Sequence, residues 1–89
     1  MSIDLNGAYR LAPEVAVRPE PFGALCYHYG NRRLTFLKSD EMVTVVTALA
    51  DHESVAAALR ATGIVERRWP SFVKALASLE QSEVVVARG

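Results

Sequence analysis

The chain has 89 residues and is 51% hydrophobic, enough for one small domain with a single core, which argues against disorder. Its ten basic and ten acidic residues cancel, so it lacks the cationic excess that supplies most of the affinity of nucleic-acid-binding proteins. Cys26 is the only cysteine, which excludes an internal disulfide and fits a reducing cytoplasm.

The ends and apolar runs of the chain indicate its organisation. The polar N-terminal segment lacks the apolar stretch of a secretion signal, and no run approaches the ~18–20 residues that span a bilayer. We therefore expect a cytoplasmic protein in which residues 1–8 form a flexible tail and residues 9–89 form one domain.

The first half of the chain has the pattern of three short strands. Val15 and Val17 lie between Pro13 and Pro19, which suits an outer strand because proline cannot donate a hydrogen bond to a central ladder. The segments on either side of Gly30-Asn31 are predicted to form a β-hairpin, since Gly-Asn is a favourable two-residue loop.

The hairpin loop predicts a register and therefore two faces. Tyr27 should lie opposite Leu34, Leu25 opposite Phe36, and Tyr29 opposite Arg32. The other face would carry the smaller or more polar set: Ala24, Cys26, His28, Arg33, Thr35 and Leu37. We therefore expect Leu25, Tyr27, Leu34 and Phe36 to face the core, and we expect the Leu34→Asp substitution to unfold the domain.

Three helices are predicted in the second half. Ser39 is a good N-cap for the first helix, which should extend to about Ala50. The second should run over residues 53–62, capped by Asp51 or His52 and ended by Gly63, and the third should start between Glu66 and Pro70. Trp69, Phe72, Val73, Leu76 and Leu79 recur at helical spacing and define the inner face of the third helix.

The predicted fold is therefore α+β, with an N-terminal three-stranded antiparallel sheet followed by three helices in a winged-helix-like arrangement. Residues 84–87 are too few for a helix and could add a last strand.

The sequence offers no catalytic or metal-binding constellation. One cysteine and two histidines are too few for a metal site, and His28 lies two positions from Cys26 on a strand, which is a poor geometry for proton transfer. The glycines form no phosphate-binding loop. We therefore expect a protein that is not an enzyme and needs no metal or cofactor.

An open strand edge is the strongest sign of binding. The segment 32–37 should lie at the edge of the sheet, because the chain turns into helix after it, and unpaired main-chain groups there can accept an extended peptide. Arg33, Thr35 and Leu37 could line such a site. Arg32-Arg33 and Arg67-Arg68 are otherwise ordinary solvated charges.

Several ordered stretches resemble the PqqD-like peptide chaperones, also called RiPP recognition elements, and within them the mycofactocin-system chaperones. The resemblance covers about residues 9–86 and is carried by residues 9–18, 18–25, 27–38, 48–52 and 75–79. Many PqqD-like proteins have a glycine between the first two helices. This chain has Asp51-His52, as suits the mycofactocin subgroup.

The resemblance implies a function that the residues alone do not. Members of the family bind the leader of a ribosomally made precursor peptide and present it to a radical S-adenosylmethionine enzyme, which in the mycofactocin system acts on a terminal Val-Tyr pair. The leader adds as a strand beside the third strand, in a groove closed by the third helix. The corresponding positions here are Arg32, Arg33, Leu34, Thr35, Phe36, Leu37, Arg68, Phe72, Val73 and Leu76.

Two other functions remain open from the residues. A winged-helix DNA-binding regulator would need a basic recognition helix, yet after Trp69 the third helix carries Lys74 offset by Glu80. An accessory homodimer could use an apolar sheet face.

Overall fold

The computed structural model describes residues 3–88; Met1, Ser2 and Gly89 lie outside the described residues, and with them the first part of the predicted tail. The strands are β1 (Tyr9–Leu11), β2 (Val15–Glu20), β3 (Gly23–His28), β4 (Leu34–Leu37) and β5 (Val85–Ala87). The helices are α1 (Asp40–Ala48), α2 (Val55–Ala61) and α3 (Trp69–Gln81). Short 3₁₀ turns at Leu49–Asp51 and Glu66–Arg68 follow α1 and precede α3.

The strands form two antiparallel sheets. β2, β3 and β4 form a three-stranded sheet in chain order, which confirms the predicted N-terminal sheet followed by three helices. Pro19 lies in β2, an edge strand, where its missing amide removes no ladder bond. β5 is the additional C-terminal strand, and it pairs with β1 in a separate two-stranded sheet. Within residues 3–88, no helix has the length and apolar character needed to cross a membrane.

Local signals set the start of α1 and both ends of α2. The Ser39 hydroxyl accepts a hydrogen bond from the Met42 amide at 3.1 Å, so the predicted cap of α1 is confirmed. The predicted cap of α2 is wrong: Ser54 caps it, accepting from the Ala57 amide at 3.0 Å, because a 3₁₀ turn uses Asp51 and delays the helix start. Gly63 follows α2 with a φ of 80°, the left-handed conformation that favours glycine.

The β3–β4 turn is longer than the predicted two-residue loop. The His28 amide donates to the Arg33 carbonyl at 3.0 Å, while the Arg32 amide donates to the His28 carbonyl at 2.7 Å. Arg32 and Arg33 thus both oppose His28, as in a β-bulge, and Arg32 adopts a positive φ of 61°. Tyr29 lies in the turn rather than in the ladder, whereas the register of Leu25 with Phe36 and Tyr27 with Leu34 is confirmed.

The predicted core face of the hairpin is wrong. Leu34 and Phe36 are 58% and 57% exposed, whereas Ala24 and Cys26 are completely buried. α1 packs against β3, and small side chains at those positions let the helix approach the sheet closely. Leu34→Asp is therefore not expected to unfold the domain.

The core lies between the three-stranded sheet and the helices. Its fully buried side chains include Val45, Leu49, Leu59 and Leu76, joined by Val85 from β5. Trp69 is also buried, and its indole nitrogen donates to the Ile64 carbonyl at 2.8 Å, so it acts as a core residue.

Residues 3–8, within the segment for which the sequence predicts a flexible tail, contact the helical half of the domain. Ile3 is buried. The carbonyl oxygens of Leu5 and Gly7 accept hydrogen bonds from the Ala56 and Val55 amides at 3.0 and 3.1 Å. These bonds satisfy amides in the first turn of α2 that have no partner within the helix.

Candidate functional site

A groove of about 500 Å³ lies between β4, the start of α1 and one side of α3. Its strand wall is formed by residues 35–38. The α1 wall consists of Ser39, Glu41 and Met42. The α3 wall begins with Arg68 of the preceding 3₁₀ turn and continues on one side of the helix with Ser71, Phe72, Ala75, Ser78 and Leu79.

The floor of the groove is apolar. Leu37, Met42, Phe72 and Leu79 line it and are each less than a tenth exposed, because they also belong to the domain core. A ligand that covers them gains hydrophobic contact without requiring the core to rearrange. The walls add serine hydroxyls and charged groups at the mouth.

β4 is an edge strand, with β3 on one side and the groove on the other. The bond from the His28 amide to the Arg33 carbonyl marks a hydrogen-bonded pair, and such pairs alternate along an antiparallel ladder. Thr35 and Leu37 therefore bond to β3. The main-chain N–H and C=O groups of Leu34 and Phe36 face away from β3, towards the open edge.

An ion pair crosses the mouth of the groove from the 3₁₀ turn before α3 to the first turn of α1. Both guanidinium Nη atoms of Arg68 donate to the carboxylate of Glu41, at 2.8 and 2.7 Å. The Arg68 guanidinium also lies 5.3 Å from the ring centroid of Phe72. The hydrogen bonds and charge of Arg68 hold the pKa of Glu41 below its usual range.

His28 supports the turn that leads into β4. Its buried imidazole accepts hydrogen bonds at Nδ1 from the Gly30 and Asn31 amides, at 3.0 and 3.1 Å. An imidazole nitrogen that accepts two bonds carries no proton, so the remaining proton of the neutral ring lies on Nε2. A Cβ on Gly30 would approach within 2.8 Å of the ring, so this contact requires glycine.

The structure brings together half of the site residues predicted from the sequence. Thr35, Phe36, Leu37, Arg68 and Phe72 line the groove.

The other five lie elsewhere. Arg32 and Arg33 are exposed beside the turn, Leu34 points to the opposite side of the sheet, and Val73 is half-buried beside the core. Leu76 is completely buried and has no surface to offer a ligand.

The sequence interpretation missed the α1 wall and part of the α3 wall. The positions on α3 could have been found, because Ser71, Ala75 and Ser78 continue the helical spacing from Arg68. Glu41 gives no such signal, because its partner Arg68 is 27 positions away in the chain.

The side of the three-stranded sheet turned away from the helices, the outer face, carries a cluster of large apolar side chains beside the Arg18–Glu20 ion pair of β2. The exposed members of the cluster are Phe22, Tyr29, Leu34 and Phe36, and the half-buried members are Leu25 and Tyr27. The rings of Phe22 and Phe36 meet edge to face with centroids 5.8 Å apart, and those of Tyr27 and Tyr29 do so at 4.9 Å. A contiguous apolar surface of this kind is typical of an interaction site.

Comparison with known proteins identifies relatives along almost the whole chain. The model of the peptide chaperone MftB family matches residues 8–86. The peptide chaperone MftB of Mycolicibacterium smegmatis is 45% identical over 86 residues, which is 97% of this chain and 84% of that protein. The protein of the same name from Mycobacterium ulcerans is 45% identical over 85 residues, covering 96% and 78% of the two chains.

A third relative with that name, from Mycobacterium tuberculosis, is 44% identical over 85 residues, again 96% of this chain and 78% of the relative. No solved structure matches. The relatives are named for a non-catalytic role, in agreement with the expectation that this protein is not an enzyme. The chain belongs to the peptide chaperone MftB family.

Proposed function

We propose that this protein is a cytoplasmic peptide chaperone that binds the leader of a ribosomally made precursor peptide, the mycofactocin precursor, as an additional strand along β4. It presents the bound peptide to a radical S-adenosylmethionine enzyme that carries out the chemistry. Membership of the peptide chaperone MftB family supports the class of function, and the open edge of β4 beside the groove supports the mode of binding.

The proposal rests on one observation: the free main-chain groups of β4 lie beside a groove with an apolar floor. Leu34 and Phe36 offer N–H and C=O groups in the plane of the sheet, which an extended peptide can pair without moving the domain. Side chains on one side of that peptide would then enter the groove over Leu37 and Phe72. Side chains on its other side would lie beside the outer face.

Peptide N-methylation tests strand addition directly. Methyl groups on alternate amides of the precursor leader remove only those donors that face β4, or only those that face away from it. We expect one alternating set to weaken binding by at least about tenfold, the size of one or two lost hydrogen bonds, and the other set to bind like the unmodified leader. Equal binding of both sets, measured by calorimetry, would exclude strand addition.

A proline substitution on the protein provides the matched test. Phe36→Pro removes an amide that faces the open edge without removing a ladder bond to β3. It should leave the domain folded and weaken leader binding, and Phe36→Ala separates loss of the ring from loss of the amide. Tight binding by Phe36→Pro would place the peptide elsewhere.

Presentation to the enzyme requires its own experiment. Addition of this protein should raise the rate at which the radical S-adenosylmethionine enzyme modifies the precursor, and Phe36→Pro should lose most of that increase. An enzyme rate that is the same with and without the protein would leave peptide binding intact and contradict presentation.

A further inference from the structure

Positive charges border the open edge of β4 at both ends. Arg32 and Arg33 precede the strand and Lys38 follows it, and all three are exposed. Since the whole chain is electrically neutral, this cationic border is a local feature and not a consequence of overall charge. Extended chain advances about 3.3 Å per residue, so Arg33 and Lys38 bracket about 16 Å of bound peptide.

Acidic charge in the described groove is already compensated. Glu41 is the acidic side chain among the groove-lining residues, and both of its oxygens accept hydrogen bonds from Arg68. Its neighbour Asp40 lies in the first turn of α1, where the helix dipole favours negative charge. Arg32, Arg33 and Lys38 form no ion pair with an acidic residue among residues 3–88.

The middle of the edge is apolar on both sides of an added strand. Leu37 and Phe72 meet the side chains that point into the groove, and Leu34 and Phe36 flank those that point outwards. Thr35, a β-branched residue of β4, also lines the groove. A bound segment therefore has apolar surroundings at its centre, two arginines beside one end and a lysine beside the other.

We infer that the groove selects an extended peptide segment of about four apolar or β-branched residues with acidic residues at both ends. This inference rests on the proposed addition of the peptide as a strand along β4. The apolar centre covers the groove floor on one side and the exposed side chains of Leu34 and Phe36 on the other. The acidic ends pair with Arg32 and Arg33 at one end and with Lys38 at the other, which sets the register of the peptide along β4.

Three synthetic peptides test this inference. Each is acetylated and amidated, with the same four central valine and threonine residues, and carries two glutamates, two glutamines or two lysines at each end. We expect the glutamate peptide to bind about tenfold more tightly than the glutamine peptide, as several exposed ion pairs together would give, and the lysine peptide to bind most weakly. In about 1 M NaCl, where the Debye length is ~3 Å, the preference should fall to about twofold.

Charge reversal on the protein supplies the control. The double variant Arg33→Glu, Lys38→Glu should reverse the order and favour the lysine peptide. The single variant Arg10→Glu reverses an exposed arginine on β1, in the other sheet, and should keep the original preference. Circular dichroism should show both variants folded, since the altered side chains are exposed.

The outcomes separate this inference from the proposed function. Equal binding of the glutamate and glutamine peptides would overturn charge selection while strand addition stands. If none of the three synthetic peptides binds but the precursor leader does, the segment chemistry inferred here is wrong and leader binding survives. If the leader also fails to bind, the proposed function itself is wrong.

Discussion

The two faces of the three-stranded sheet carry side chains of opposite size and opposite exposure. On the face towards the helices, Ala24 and Cys26 are completely buried and Leu37 is nearly so. On the outer face, Leu34 and Phe36 are each more than half exposed. The position of the helices, and not the bulk of a side chain, decides which face belongs to the core. Small residues serve the inner face because they permit close approach of α1.

The large side chains of the outer face are exposed because no helix in the described part of the chain covers that side of the sheet. Apolar exposure of this extent costs solubility, and natural monomers retain it mainly where a partner binds. The inner face of β4 therefore belongs to the domain core, and its outer face is exposed to solvent.

The largest test of this contrast compares two leucines on the same strand. Leu37→Ala should lower the free energy of unfolding by about 2–5 kcal/mol, because it opens a cavity under α1 and α3. Leu34→Ala should change it by less than about 1 kcal/mol, because water already reaches that side chain. Urea denaturation measures both, and similar losses for the two variants would contradict the assignment of the faces.

Enlarging small residues tests the same contrast from the other direction. Ala24→Leu should cost about 1–3 kcal/mol, because no space exists between β3 and α1 for three further carbon atoms. Ala16 of β2 lies opposite Tyr27, on the outer face, so Ala16→Leu should be close to neutral. Thermal unfolding of the two variants would decide the matter, and a tolerated leucine at position 24 would show that the inner face is loosely packed.

A smaller effect is expected at the end of β3, where the inner face meets the turn. His28→Leu removes the acceptor of the Gly30 and Asn31 amides and should cost about 1 kcal/mol, since water can replace part of the loss. His28→Asn keeps an acceptor near Nδ1 and should recover part of the stability. Hydrogen exchange at Gly30 and Asn31 reports the effect locally; unchanged protection in His28→Leu would rule out a structural role for the imidazole.

The smallest effect concerns Glu41. Its pKa is lowered in the folded protein by the hydrogen bonds and charge of Arg68, so the pair stabilises the fold above the usual pKa of a glutamate, ~4.3. That contribution is lost as the pH falls through the lower, folded-state value. In Arg68→Gln, the Glu41 titration followed by NMR should shift back up towards the usual value. An unchanged titration would mean that the ion pair does not persist in solution.

Local sequence signals were sufficient for most of the fold. The serine before α1, the glycine after α2 and the turn residues between β3 and β4 act within a few positions, so the start of α1, the end of α2 and the hairpin register could be predicted. The choice of face could not, because period-2 alternation gives two faces without stating which one the helices will cover.

Long-range contacts account for the other differences. β1 and β5 are far apart in the sequence, and a strand of three residues is too short for its pairing partner to be predicted from its pattern. The α1 wall of the groove depends likewise on tertiary packing, which brings Glu41 to Arg68. The strand wall was predictable because an edge strand follows from chain order alone.

The reactivity of the Cys26 thiol can be used to measure local opening of the domain. The thiol is completely buried, its pKa is raised by burial, and it lies in the central strand β3, opposite Thr35, on the face that α1 covers. A thiol-specific reagent can therefore react only in molecules in which the packing between α1 and the sheet has opened. The labelling rate reports those openings, so a ligand that binds only the closed domain will slow the reaction in proportion to its occupancy.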